Sequence, residues 1–87
     1  MRLFLAKVYV TLKPVVNDPE GLTIAGGLRS LGFDSVEDVR SGKYLEIKLD
    51  ATDRAAASSA VEEMCRKLLA NPVIEDYRFE VEEAVRA

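Results

Sequence analysis

Eighty-seven residues with 12 basic against 15 acidic side chains, one cysteine and no histidine describe a single small domain of net charge −3. One cysteine cannot build a disulfide framework, zero histidines remove the commonest general base and transition-metal ligand, and the charge balance lacks the clustered Lys and Arg of a nucleic-acid footprint. A reducing, cytoplasmic setting fits this composition, and the N-terminal apolar run, interrupted by Lys7, is too short for a signal or membrane segment.

In chain order, residues 2–12 read as a strand. Phe4, Ala6, Val8, Val10 and Leu12 share one face, and Leu3, Leu5, Lys7, Tyr9 and Thr11 share the other. Both faces begin apolar, which predicts a central strand covered on both sides, more cover than so small a domain readily supplies. Self-association is a first expectation.

Asp18 is a good N-cap and Pro19 suits the first helical position, so a helix is expected from there to about Leu31. Ile24, Gly27, Leu28 and Leu31 recur at helical spacing, and Gly32 before Phe33 suits a left-handed C-cap. Gly26 and Gly27 each cost about 1 kcal/mol against Ala in a helix interior. Two explanations stand: close packing of the helix on its own sheet, or close approach of a second subunit's backbone.

Residues 35–40 and 43–50 read as a hairpin turning at Ser41-Gly42, with Leu45, Ile47 and Leu49 facing inward and Tyr44, Glu46, Lys48 and Asp50 outward. A second helix is expected from a cap at Thr52 or Asp53 to Leu69 or Ala70, with Ala57, Val61, Met64, Cys65 and Leu68 as its buried stripe. Asn71-Pro72 stops it. A last strand over 73–82 sets Tyr77, Phe79 and Val81 against Asp76, Arg78, Glu80 and Glu82. The order β-α-β-β-α-β is the ferredoxin-like α+β plan, an antiparallel sheet with both helices on one face. A single domain over residues 1–87 self-associates, on this reading, through the other face or the sheet edges.

No catalytic constellation emerges. Cys65 falls on the buried stripe and has no His to activate it, and the chain carries no glycine-rich phosphate loop and no aromatic RNA-binding signature. No catalytic residue, metal ligand or cofactor site is therefore expected, nor any nucleic-acid or membrane partner.

Several segments, taken together, are more particular than a fold requires: Lys13-Pro14, Asp18-Pro19-x-Gly21, Leu31-Gly32, Val39-Arg40-x-Gly42-Lys43, and Leu68-Leu69-Ala70-Asn71-Pro72-Val73-Ile74-Glu75-x-Tyr77. In this order and spacing the chain resembles the PurS family, the small subunit of phosphoribosylformylglycinamidine synthase where that enzyme is split into separate chains. Val15-Val16-Asn17 and the Gly26-Gly27 pair depart from the expected pattern. The resemblance implies a homodimer or homotetramer without its own chemistry. It would bridge a glutaminase subunit and a synthetase subunit, so that ammonia from glutamine reaches formylglycinamide ribonucleotide. ATP, Mg and glutamine would be used by those partners. It also directs attention to eight contact candidates. Lys13, Arg40, Lys43 and Tyr44 would touch the larger subunits, since Arg and Tyr suit assembly surfaces. Asn71 would cap the helix end, Glu75 with Arg40 or Lys43 would form polar contacts to a partner chain, and Ile74 and Tyr77 would lie on a pairing edge. The same element order is also used by ACT-like modules that bind small molecules, the competing reading.

Overall fold

β1 (Arg2–Leu12) is the axis of the molecule, and its alternation explains why: Phe4, Ala6, Val8 and Val10 are each at most 1% exposed. In the computed structural model, which describes residues 1–85 of the expected single domain, β1 is flanked by β2 (Gly42–Ala51) and β3 (Glu75–Glu83) in an antiparallel sheet of order β2-β1-β3. The register sets Phe4 beside Leu49, Ala6 beside Ile47 and Val81, and Val8 beside Leu45 and Phe79, so all three strands aim their apolar rows at one side.

On that side lies α2 (Arg54–Met64), whose Ala57 and Val61, with Cys65 just beyond its end, close the core. Asp53 caps it by accepting from the Ala56 N–H at 2.8 Å. This three-stranded sheet with two helices is the ferredoxin-like α+β arrangement.

Two expectations about α2 need correction at its end. Residues Cys65–Leu69 form a π-helical turn, closed by the Ala70 N–H donating to the Cys65 carbonyl at 3.0 Å. The wider turn shifts the phase of the stripe, so Leu69 packs on the core while Leu68 is 83% exposed.

The expected hairpin is also corrected. Residues 35–40 are not a strand, and among the described residues the sheet has three strands where four were expected. Val36 and Val39 are three apart and cannot share a strand face, and the backbone carbonyls of Val36 and Glu37 accept instead from the Arg29 guanidinium at 3.1 and 2.9 Å. The segment runs along α1 as a strap. β2 is left as a sheet edge.

α1 (Pro19–Ser30) forms where expected. It ends in a Schellman motif: Gly32, at φ +99°, donates to the Arg29 carbonyl and Phe33 to the Leu28 carbonyl, both at 3.0 Å. Its placement differs from the expectation. Gly21 and Ala25 are the residues it buries, while Ile24 and Leu31 of the anticipated stripe are 41% and 76% exposed. Neither core cluster contains a residue of α1. The radius of gyration is 16.7 Å, against about 12 Å for a compact domain of this length.

Candidate functional site

β1 ends where β2 and β3 begin, so one end of the sheet collects the residues that flank three strand termini. All eight contact candidates lie there, although they face different ways.

Lys13 is the hub of one group. Its ammonium pairs with Asp76 at 2.7 Å, its N–H donates to the Ile74 carbonyl at 2.8 Å, and its own carbonyl accepts from Arg40 at 3.0 Å. Arg40 also donates to the Val16 carbonyl at 2.8 Å, so the guanidinium ties the loop after β1 to the strap. Beneath this tie sits Asp18, 3% exposed. It accepts from the Gly21 N–H at 2.9 Å as the cap of α1, and from the Ser41 N–H at 2.6 Å and Ser41 hydroxyl at 2.8 Å. These bonds, the Gly21 one foremost, hold the Asp18 carboxyl below the usual carboxylate range. A side chain at Gly21 would collide with the Val39 carbonyl, so only glycine lets the strap pass.

The Asn71 turn forms a second group. Asn71 caps this turn and not the helix, because its side-chain oxygen accepts from the Val73 N–H at 3.1 Å. The Glu75 carboxylate accepts from the Asn71 N–H at 2.7 Å, an engagement within the chain at a residue expected to contact a partner.

The open face of the sheet, opposite α2, carries the third group. Tyr44, Tyr9 and Arg78 lie side by side on β2, β1 and β3. The two rings are 5.1 Å apart between centroids, and the Arg78 guanidinium stands 4.0 Å over Tyr9. They border a shallow concavity of about 380 Å³ that Lys43, Thr11 and Asp76 also line. The Tyr44 hydroxyl donates to Glu46 at 2.8 Å, which pushes its pKa up to about 12. One register step along, Lys7 pairs with Glu82 at 3.2 Å, a bond that raises the lysine pKa. Tyr77, also lining the concavity, belongs chiefly to the other side. It packs on the core, and its hydroxyl donates to Glu62 at 2.6 Å, raising its pKa. Cys65 is buried, and desolvation pushes its thiol up, the opposite of a reactive cysteine.

The site therefore unites Lys13, Arg40 and Ile74, links Asn71 to Glu75, and places Tyr44 on the open face, whereas Lys43, opposite Val10 in the register, and Tyr77 share the other side. Sequence reasoning missed Tyr9, Arg78 and Asp76. The first two stood in alternating patterns, and only the strand register pairs them. Among the described residues no group of three or more His, Cys, Asp and Glu could hold a metal, and no helix is long and apolar enough to cross a membrane.

A polar, aromatic-edged surface on a small sheet suits contact with another protein better than chemistry. The family model described as PurS, phosphoribosylformylglycinamidine (FGAM) synthase, matches residues 5–83. The chain belongs to the PurS family. It is 51% identical over 83 residues to the PurS subunit of phosphoribosylformylglycinamidine synthase from Bacillus subtilis, covering 95% of this chain and 98% of that one. The structure of PurS from Methanocaldococcus jannaschii, one of the subunits of formylglycinamide ribonucleotide amidotransferase in the purine biosynthetic pathway, superposes with a TM-score of 0.83. That match is at 43% identity and covers 94% of this chain and 99% of the other. A chain in the structure of PurLQS from Thermotoga maritima superposes at TM-score 0.83 with 36% identity, covering 97% of this PurS-family chain and 100% of its counterpart.

Proposed function

We propose that this PurS-family chain is a non-catalytic subunit of phosphoribosylformylglycinamidine synthase in purine biosynthesis. The observation that carries the proposal is its likeness, over 97% of its length, to a chain of PurLQS. The chain works in the cytoplasm as a homodimer or homotetramer. It bridges the glutaminase and synthetase subunits and supports passage of ammonia from glutamine to formylglycinamide ribonucleotide. ATP, Mg and glutamine bind to those partners. The residues agree with this division of labour, since the buried thiol is unactivated, and Lys13 with Asp76, Ser41 with Asp18 and Tyr77 with Glu62 engage one another within the chain.

The open face supplies the partner-facing surface. Tyr9, Tyr44 and Arg78 present flat groups held in fixed orientation by the sheet, and Lys43 stands at their margin. Such groups dominate binding energy because they bury much area while losing little rotamer freedom. Lys13, Arg40, Asn71 and Glu75 act behind them by fixing the loops that frame the surface.

The test compares product formation by the cognate synthetase and glutaminase with and without this chain, using glutamine or a high ammonium concentration as nitrogen donor. A requirement confined to the glutamine-dependent rate is the expected outcome. A requirement in both rates would replace coupling with direct shaping of the synthetase, and no requirement in either would remove the proposal.

A further inference from the structure

Much of the positive charge on this chain is committed within it. Arg2, Lys7, Lys13 and Lys67 each pair with a carboxylate, and Arg29, Arg40 and Arg54 donate to backbone carbonyls. Arg78 and Lys43 have neither kind of partner among the described residues, and both line the concavity of about 380 Å³ at the end of the sheet. The carboxylate that lines the same hollow, Asp76, is already neutralised by Lys13 at 2.7 Å. One row along, Glu46 accepts from the Tyr44 hydroxyl, and Glu80 stands opposite Lys7 in the register. The hollow is thus left positive on a chain whose net charge is −3.

The way Arg78 is held bears on what fills the hollow. Its guanidinium stands 4.0 Å over the Tyr9 ring, and Tyr44 extends that aromatic platform with its centroid 5.1 Å away. A guanidinium that meets a ring through its face keeps its N–H donors in the plane, where they form a fixed fork. A carboxylate fits that fork through two parallel hydrogen bonds. We infer that the hollow receives an Asp or Glu side chain exposed on one of the larger partner subunits, gripped by Arg78 between the tyrosines with Lys43 at the rim. This deepens the partner-facing role of the open face proposed above and rests on it. Charge complementarity selects the occupant. A basic or apolar segment seated here would strip water from the fork and leave its donors unpaired, a cost that a carboxylate avoids. The hollow is shallow, so a side chain projecting from a folded surface can enter it without rearrangement of the sheet.

Titrating the full chain into the cognate synthetase and glutaminase, with the glutamine-dependent rate as readout, tests this. The half-saturating concentration reports docking, and the plateau reports the assembled complex. Arg78→Gln is expected to raise the half-saturating concentration on the order of tenfold or more at an unchanged plateau. Arg78→Lys should recover part of that loss, and Arg78→Glu should dock more weakly than Arg78→Gln because it sets like charges together. Lys43→Gln should cost less, and added salt should weaken the wild type more than Arg78→Gln. Arg78 is exposed on β3, so these variants keep the fold, and circular dichroism checks it. Docking by Arg78→Glu that equals or exceeds that of Arg78→Gln overturns the acidic occupant in favour of a basic one. An unchanged half-saturating concentration in Arg78→Gln, or a lowered plateau alone, overturns the docking role. A changed oligomer of isolated Arg78→Gln in sedimentation assigns the hollow to contact between copies and also overturns it. A wild-type chain that stimulates neither the glutamine-dependent nor the ammonium-dependent rate overturns the subunit reading, and this inference falls with it.

Discussion

The two helices of this chain are alike in sequence and opposite in situation. Each starts at an aspartate cap and carries an apolar stripe, yet α2 closes the core with Ala57, Val61 and, at its end, Cys65 while α1 leaves Ile24 and, at its end, Leu31 in water. A cap is a local agreement between one carboxylate and nearby N–H groups, so it forms wherever the residues stand in order. Burial of a stripe needs a surface at the right distance, and nothing local specifies that. The lesson is that helix existence and helix placement are separate problems, solved here by different parts of the molecule.

Substitutions can sharpen this contrast. The largest effect is expected at the core that α2 covers. Phe4→Ala should cost about 3–5 kcal/mol in urea unfolding. That is a large share of the roughly 4–13 kcal/mol expected for a domain of this length. Leu31→Ala at the end of α1 should stay within about 0.5 kcal/mol at concentrations where the chain is monomeric. Equal costs at the two positions would break the comparison.

Next comes the joint between the halves. Asp18 serves both the α1 cap and the strap, and Asp18→Ala should lower Tm by roughly 4–8 °C or more, read by circular dichroism. Because the folded carboxyl titrates below its ordinary value, its contribution is complete above about pH 4, the unfolded range, and is lost as pH falls through the folded pKa. Acid unfolding of Asp18→Asn should therefore show a shallower pH dependence than the wild type.

A smaller effect of opposite sign belongs to α1 alone. Gly26→Ala enters open space and should stabilise the monomer by about 0.5–1 kcal/mol. Destabilisation there would mean that α1 packs against its own chain after all.

The smallest effect is spectroscopic. Tyr44 and Tyr77, both hydrogen-bonded to carboxylates, should ionise later than free tyrosine in an absorbance titration, and Tyr44→Phe should remove the step near pH 12. Their raised pKa values support folding below about pH 10 and withdraw that support as pH rises through the folded values.

The sequence disclosed much of this, unevenly. Alternation in β1 revealed a central strand because a two-sided apolar pattern admits few other positions, and Asp18-Pro19, Gly32 and Asp53 marked helix ends because capping is local. The same signals did not reveal that residues 35–40 stay out of the sheet. Arg29 captures the Val36 and Glu37 carbonyls, and the competition between a guanidinium and a strand edge leaves no periodic trace. Leu68 was misplaced because a π turn changes phase without changing residue type. At the site, Lys13, Arg40 and the Asn71 turn were legible through the resemblance, whereas the Tyr44–Tyr9–Arg78 row needed a register that no single strand contains.

Hydrogen exchange followed by mass spectrometry, at protein concentrations above and below the association midpoint, tests the contrast most directly. Amides of α2 should be protected at both concentrations. Those of α1 should exchange rapidly in the dilute sample and become protected in the concentrated one. Equal protection of both helices in the dilute sample, or an α1 that stays unprotected in the assembled state, would contradict the account.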